Sequence, residues 1–316
     1  MAEILPLLAG GLFLFLYSIG KLSDTLKNVF TAKAKKVIGE YTSNVISSLL
    51  VGTVLTILLG SSSAVIILTI VFINAESLNF KKAIGIIMGA NIGTTFSSQL
   101  IAFDIGQYAA IPLFIGLLLS MIGKTERIQN YGNFLLYFGM LFFGLFVMQE
   151  SVDPLRDSPV FENWIKRIDE NYLQGTLIGG LVTLIIQSSS GTVGIAIVLG
   201  KQKLITLAGG MAIMLGAELG TCSDTLLATI KGTRQSLKAG LFHLLFNFIT
   251  IIIGLLVFEP FVQLIEHLSP NANIGRKIAN AHVLFNIGGV LLLLPFVGLA
   301  ERFFNWLIKE QDKIKA

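Results

Sequence analysis

Two runs of three serines carry the chemistry of this chain: Gly60-Ser61-Ser62-Ser63 and Gln187-Ser188-Ser189-Ser190, 127 residues apart and each inside an apolar stretch. A serine hydroxyl donates one hydrogen bond, accepts others, and rotates to suit its partner. Clustered serines therefore suit an oxyanion, and their oxygens also suit a hard cation such as Na+. A second pair keeps the offset: Gly89-Ala90-Asn91-Ile92-Gly93-Thr94 and Gly216-Ala217-Glu218-Leu219-Gly220-Thr221. Upstream, Gly52 and Thr56 recur as Gly179 and Thr183. An offset that holds through three landmarks without drift indicates internal duplication. One isolated serine run would favour simple packing, since small residues let membrane helices approach. Two runs, each followed by a matched glycine-rich segment, favour a binding site.

The elements that position these serines follow from composition. The chain is 53% hydrophobic and 13% charged, against about 25% charged in soluble domains. Its charges gather between apolar stretches, as in a polytopic membrane protein. The net charge of +4 is carried by loops and is no nucleic-acid signal. The start does not read as a signal peptide: Glu3 replaces a basic region, Pro6 follows, and no small-residue cleavage site ends the apolar run. Residues 4–20 read as a retained span and 21–43 as an amphipathic surface helix. Residues 44–59 and 62–74 are apolar arms too short to cross a bilayer, which takes about 20 helical residues. Together they predict a re-entrant hairpin over 44–74 with the first serines at its tip. Residues 82–103 predict a broken helix, interrupted by Gly89, Asn91, Gly93, Thr94 and Thr95, and 107–123 a span. The order then repeats: a span at 131–149, a polar stretch at 150–172, a hairpin over 173–200, a broken helix over 204–230 and a span at 236–258. A span at 278–299 and a charged amphipathic tail close the chain. Even the approaches match, Asp24-Thr25-Leu26-Lys27 resembling Asp153-Pro154-Leu155-Arg156.

If each hairpin enters and leaves on one side, each half crosses three times and the second is inverted. With the amino terminus outside, the five inner segments hold 16 of the 23 basic residues. That asymmetry favours an amino terminus outside and a carboxyl terminus in the cytoplasm. The expected fold is thus an all-α polytopic membrane protein with an inverted-topology repeat, two re-entrant helical hairpins, two broken helices and about seven crossings. Its parts are a first repeat at 1–130, a second at 131–258, and an extra transmembrane helix with a cytoplasmic tail at 259–316.

Backbone can break at membrane depth only where protein or water satisfies it. A half-helix amino terminus offers free N–H groups and partial positive charge to an anion. No basic residue lies in either hairpin core, so dipoles, hydroxyls and co-bound cations would hold the anion.

The residues in these two motifs resemble the type II sodium–phosphate cotransporter family, including its bacterial members. That family carries duplicated QSSS motifs on re-entrant hairpins, each followed by a G-(S/A)-N-I-G-T segment. Here the second QSSS is complete, whereas the first has Gly60 in place of Gln; the first GANIGTT is complete, whereas the second reads GAELGTC, ending at Cys222. The resemblance spans roughly residues 4–258 and implies Na+-coupled uptake of inorganic phosphate into the cell. It implies that Ser61, Ser62, Ser63, Asn91, Gln187, Ser188, Ser189 and Ser190 serve phosphate, and that Ser63, Thr94, Thr95, Ser190, Glu218 and Thr221 serve Na+. Some bacterial relatives continue into a soluble regulatory domain; with the sequence ending at Ala316, none is expected.

Glu218 replaces the family Asn, and Asp224 follows in the same segment. An intramembrane carboxylate is costly unless paired or hydrated. Glu218 reads as a cation ligand or protonatable coupling group, and Asp224 equally as that or as a partner of Lys231 or Arg234. Asp104 reads as an exposed loop residue. His243–Asn247 and His282–Asn286, each four apart on one helix face, read chiefly as hydrogen-bonded bridges between helices and secondarily as a proton relay. The single Cys222 excludes an internal disulfide. We find no metal cluster, no nucleophile–His–acid set and no nucleotide-type phosphate loop in the sequence, and expect no enzyme. The expected partners are phosphate, Na+ and the lipid of the cell membrane. The oligomeric state is left open, a dimer included. Two rivals stand beside this reading: the same scaffold carrying another anion or coupled to protons through Glu218, and a membrane sensor or partner module that transports nothing.

Overall fold

The computed structural model describes residues 4–103, 106–152, 155, 158–230 and 232–309, and among these the regular elements are all helices. Asp104, Asp153 and Lys231 fall outside the described residues. The first helix, α1, runs unbroken from Ile4 to Tyr41 over 38 residues. The expected surface helix is therefore a continuation of the first span. No proline follows Pro6 in this stretch, so nothing interrupts the helix at the change from apolar to polar.

Helices α2 (Val45–Leu59) and α3 (Ser62–Asn74) form the first hairpin. Asn44 caps α2 through the Ser47 N–H, with the Ser47 hydroxyl accepting in return from the Asn44 N–H. The helix stops at Gly60, whose φ of +64° places it in the left-handed region where glycine carries no Cβ penalty. Ser61 then caps α3 by accepting from the Ala64 N–H. Next come α4 (Phe80–Ala102), α5 (Ala110–Ile122), α6 (Glu126–Val152) and the amphipathic α7 (Pro159–Glu170). The second hairpin, α8 (Tyr172–Ile186) and α9 (Ser189–Lys201), repeats the first. Asn171 caps α8, Gln187 takes the left-handed position at φ +57°, and Ser188 caps α9, each 127 residues after its counterpart. The arms are 15 and 13 residues long in both hairpins.

The expected break in the first glycine-rich segment is absent: α4 is one helix of 23 residues. Its polar residues are accommodated within the helix, with Thr94 Oγ1 donating to Ala90 O and Thr95 Oγ1 to Ile92 O. Its glycines serve contact with α2. A Cβ on Gly89 would lie 1.9 Å from Leu49 O, and one on Gly52 would lie 2.2 Å from Ile86 O. In the second segment α10 (Leu207–Gly220) and α11 (Cys222–Thr229) are separated only by Thr221, whose φ of −61° and ψ of −25° are helical and whose N–H still donates to Ala217 O, so the backbone does not unwind there either. Glycines serve this contact from both sides, as between α4 and α2: Gly216 of α10 meets Thr176 O of α8, and Gly179 of α8 meets Ile213 O of α10.

The chain closes with α12 (Arg234–Leu256), α13 (Phe258–Leu268), α14 (Ile274–Leu293), a short 3-10 turn at Leu294–Phe296, and α15 (Val297–Leu307). The sequence did not suggest α13, an amphipathic helix between two spans. Among the described residues, four stretches are long and apolar enough to cross a membrane: Phe80–Ala102, Glu126–Val152, Arg234–Leu256 and Ile274–Leu307. The others expected to cross are shorter, such as Gly106–Ile122.

Each hairpin's second arm ends against the opposite half. Asn74, the last residue of α3, accepts from the N–H and hydroxyl of Thr233 at 2.9 Å each. Lys201, the last residue of α9, donates from Nζ to Ile101 O and Phe103 O at the end of α4. The far end of α3 thus leads into the start of α4, while the far end of α9 sits at its finish, about 34 Å away at 1.5 Å per residue.

Candidate functional site

The two hairpin tips meet. Ser61, Ser62, Ser63, Gln187, Ser188, Ser189 and Ser190 line one cavity of about 300 Å³, with Gly60, Asp24 and Asp224 on its walls. That volume admits a small oxyanion with ions or water, at about 30 Å³ per water. The helix amino termini of α3 and α9 both open into it. In each, the cap serine spends its hydroxyl on the third helical N–H (Ala64, Gly191). The N–H groups of Ser62 and Ser63, and of Ser189 and Ser190, are those that helix geometry leaves without an intrahelical acceptor. Four amide donors and two partial positive charges therefore face the cavity, which is the chemistry of anion binding. Gln187 holds its turn without being glycine, at a backbone cost on the order of 1 kcal/mol, and strain of this kind gathers at functional sites.

The other sequence-derived candidates lie elsewhere. Asn91, Thr94, Thr95, Glu218 and Thr221 do not line the cavity, and the Thr221 hydroxyl donates to Ala217 O within its own helix. Asn91, Glu218, His243, Asn247, His282 and Asn286 instead form a buried network. Asn91 Nδ2 donates to Asn247 Oδ1 at 2.6 Å, and Asn286 Nδ2 to Glu218 Oε1 at 3.2 Å. His282 Nε2 is bonded to Glu218 Oε1, and its Nδ1 lies 2.6 Å from Ser98 Oγ. His243 Nδ1 lies 2.9 Å from Thr225 Oγ1. Asn247 also donates to Glu218 O and approaches Cys222 Sγ.

The pairing has two-fold logic. Asn91 and Ser98 of α4 correspond at offset 127 to Glu218 and Thr225 of the α10–α11 pair, and α12 exchanges with α14. Through the two His–Asn motifs these bonds join α12 to α4 and α11, and α14 to α10. His282 thus uses both ring nitrogens, Nε2 toward Glu218 and Nδ1 toward the Ser98 hydroxyl. The order Ser98–His282–Glu218 is that of a nucleophile, base and acid, yet Ser98 and His282 are 0% exposed and Glu218 is 4% exposed. In this structure the serine is closed to solvent. Replacing His282 with Ala removes one of the two donors to Glu218 Oε1, leaving Asn286, and is expected to destabilise the protein by about 2–3 kcal/mol. Unfolding of the purified variant in detergent checks this; a loss under about 1 kcal/mol would show that the pair is not what holds α10 to α14.

Sequence reasoning missed Asp24 as a site residue. Its signal was available: Leu16, Ile19, Gly20 and Asp24 share one face of α1 at helical spacing. It also missed Ser98 and Thr225, which carry the 127-residue offset one helical turn beyond the glycine-rich motif.

An all-helical chain with four stretches long and apolar enough to cross a membrane has the architecture of a polytopic membrane protein. More particularly, the chain belongs to the Na+/Pi-cotransporter family, whose sequence model matches residues 14–150 and 156–269. It is 29% identical over 298 residues to the "Uncharacterized protein YqeW" of Bacillus subtilis (strain 168), covering 93% of this chain and 95% of that one. It is 23% identical over 288 residues to the "Putative inorganic phosphate export protein YjbB" of Escherichia coli (strain K12), covering 90% of this chain but 52% of the relative. The chain thus spans about half the length of YjbB. A stretch of 103 residues, 31% of this chain and 16% of the relative, is 34% identical to the "Sodium-dependent phosphate transport protein 2A" of Rattus norvegicus. No solved structure matches.

Proposed function

We propose that this protein is a secondary active transporter that couples inward Na+ movement to uptake of inorganic phosphate across the cell membrane. The observation that carries it is the meeting of both serine runs, each at a helix amino terminus, in one cavity. Ser61, Ser62, Ser63, Gln187, Ser188, Ser189 and Ser190 bind phosphate, with Na+ held by serine oxygens at the same tips. Family membership supports phosphate as the cargo and Na+ as the coupling ion. Asn91, Thr94, Thr95, Glu218 and Thr221 act from outside the cavity, by shaping the helices that carry the tips. The matched caps and glycine contacts, and the placement of the α3 and α9 far ends at opposite ends of α4, support an inverted repeat whose re-entrant hairpins enter from opposite faces. The excess of basic residues in the inner segments supports an amino terminus outside and a carboxyl terminus in the cytoplasm. Rocking of the hairpins against the remaining helices would expose the cavity to each side in turn.

Radiolabelled phosphate uptake into proteoliposomes, under an inward Na+ gradient and an equal K+ gradient at fixed pH, tests this. Uptake with Na+ alone is expected. Uptake unchanged without Na+ would refute Na+ coupling, and no phosphate movement by folded protein under either gradient would refute the cargo. A second reading, phosphate export, is favoured by the name of YjbB. Release of preloaded phosphate with no uptake, in vesicles of defined orientation, would establish it.

A further inference from the structure

We infer that α15 seats the headgroups of anionic phospholipid, holding its outer apolar face in the bilayer and the basic side chains around it against the lipid phosphates. Helical spacing gives α15 (Val297–Leu307) two apolar faces. Val297 and Phe304, seven apart, are buried. Phe304 lies edge-on to Phe80 at the start of α4, with 5.7 Å between ring centres, and to Phe242 of α12 at 6.4 Å. Leu299, Phe303 and Trp306 fall at i, i+4 and i+7 on a different face, and Leu299 and Trp306 are 63% and 70% exposed.

Two observations put that outer face at the membrane boundary. The apolar stretch Ile274–Leu307 has 34 residues, about 51 Å at 1.5 Å per residue against a hydrocarbon core of about 30 Å. One end of it therefore reaches past the core. The α15 end does so, because it meets the charged starts of two other spans. Glu301 pairs with Lys81 at 3.2 Å, Asn305 Oδ1 accepts from Lys238 Nζ at 2.7 Å, and Lys309 O accepts from the Arg234 guanidinium. Tryptophan is enriched at such a boundary. Charge then selects the lipid. Lys81, Arg234, Lys238, Arg302 and Lys309 stand on α15 or bonded to it, and Glu301 is the one acid among the described residues of that cluster. Arg302 lies one helical turn from Trp306, so guanidinium and indole address the same headgroup layer. The surplus of cations suits a headgroup with net negative charge, such as phosphatidylglycerol. It disfavours a second copy of the chain, because a two-fold contact here would set the surplus against itself.

Trp306 reports on this seat directly, since Trp164 is the only other tryptophan of the chain. The full chain carrying Trp164→Phe is reconstituted into vesicles of phosphatidylcholine and phosphatidylglycerol, with bromine on the acyl chains of one lipid or the other at equal mole fraction. Brominated phosphatidylglycerol is expected to quench Trp306 the more strongly. Adding Arg302→Gln is expected to lower the preference for phosphatidylglycerol over phosphatidylcholine by about fivefold, the worth of one basic residue at an anionic surface. Equal quenching by the two lipids, or a preference unchanged in Arg302→Gln, overturns the anionic seat. Quenching by neither lipid overturns it as well, and aqueous acrylamide then tells what covers the face: protection assigns it to a second copy of the chain, and access assigns it to water. If Arg302→Gln does not fold, Lys309→Gln takes its place, because the bond of Lys309 to Arg234 is made by its backbone oxygen and survives the change.

Discussion

Replacing Ser189 with Ala is expected to lower kcat/KM for phosphate by about 10- to 100-fold, the worth of one hydrogen bond to a charged group. Ser62→Ala is expected to do the same, since the two residues hold equivalent places at the starts of α9 and α3. Stability should not follow. Neither hydroxyl has a hydrogen-bond partner among the described residues, and Ala has the higher helix propensity. The two quantities therefore separate cleanly. Uptake kinetics in proteoliposomes and unfolding in detergent are measured on the same preparations, with Na+ saturating. Native uptake by folded Ser62→Ala and Ser189→Ala would remove the serines from the site. An equal fall in uptake and in stability would assign them to packing.

Gly216→Ala and Gly89→Ala should produce the opposite pattern, loss of the folded protein. The added methyl carbon would lie 1.8 Å from Thr176 O in the first case and 1.9 Å from Leu49 O in the second. Both obstacles are backbone, so no side-chain rotation relieves them, and the α10–α8 or α4–α2 contact must open. The expected cost exceeds about 4 kcal/mol, the range reserved for disrupted cores. Gly288→Ala on α14 is the control, because nothing lies within 4 Å of its added carbon; it should be neutral or stabilising by up to about 1 kcal/mol. Size-exclusion profiles of the three variants check this. Monodisperse Gly216→Ala protein with native stability would mean that these helices do not pack as described.

The hairpins were legible because a polar tip between two short apolar arms fits few structures besides a hairpin, and because it occurs twice. Arms expected at 44–59 and 173–187 appear as Val45–Leu59 and Tyr172–Ile186. The glycine-rich segments were less so. Glycine, asparagine and threonine suit an unwound backbone, but they equally suit a helix pressed against another. Sequence alone does not say which, and both took the second course: α4 is one helix, and Thr221 between α10 and α11 keeps helical dihedrals. Of the candidate site, the serine runs, Gln187 and Asp224 reach the cavity, whereas Asn91 and Glu218 turn into the buried network. The symmetry of that network was hidden because its histidines recur after 39 residues, not 127. The exchange of α12 with α14 is a relation in space that no fixed offset along the chain records. Asp24 was hidden by the boundary drawn at residue 21, where composition changes and the helix does not.

Cys222 is the one cysteine of the chain, 1% exposed and held between the backbone of Glu218 and His243. Soluble thiol reagents cannot reach it while the protein is folded. The natural sequence is therefore already a silent background for site-directed labelling. A spin label or fluorophore attached to a cysteine introduced on each hairpin would report tip separation alone, with no need to strip out a native thiol. The rocking proposed for transport would then show as a change in that separation, read in the otherwise unaltered chain.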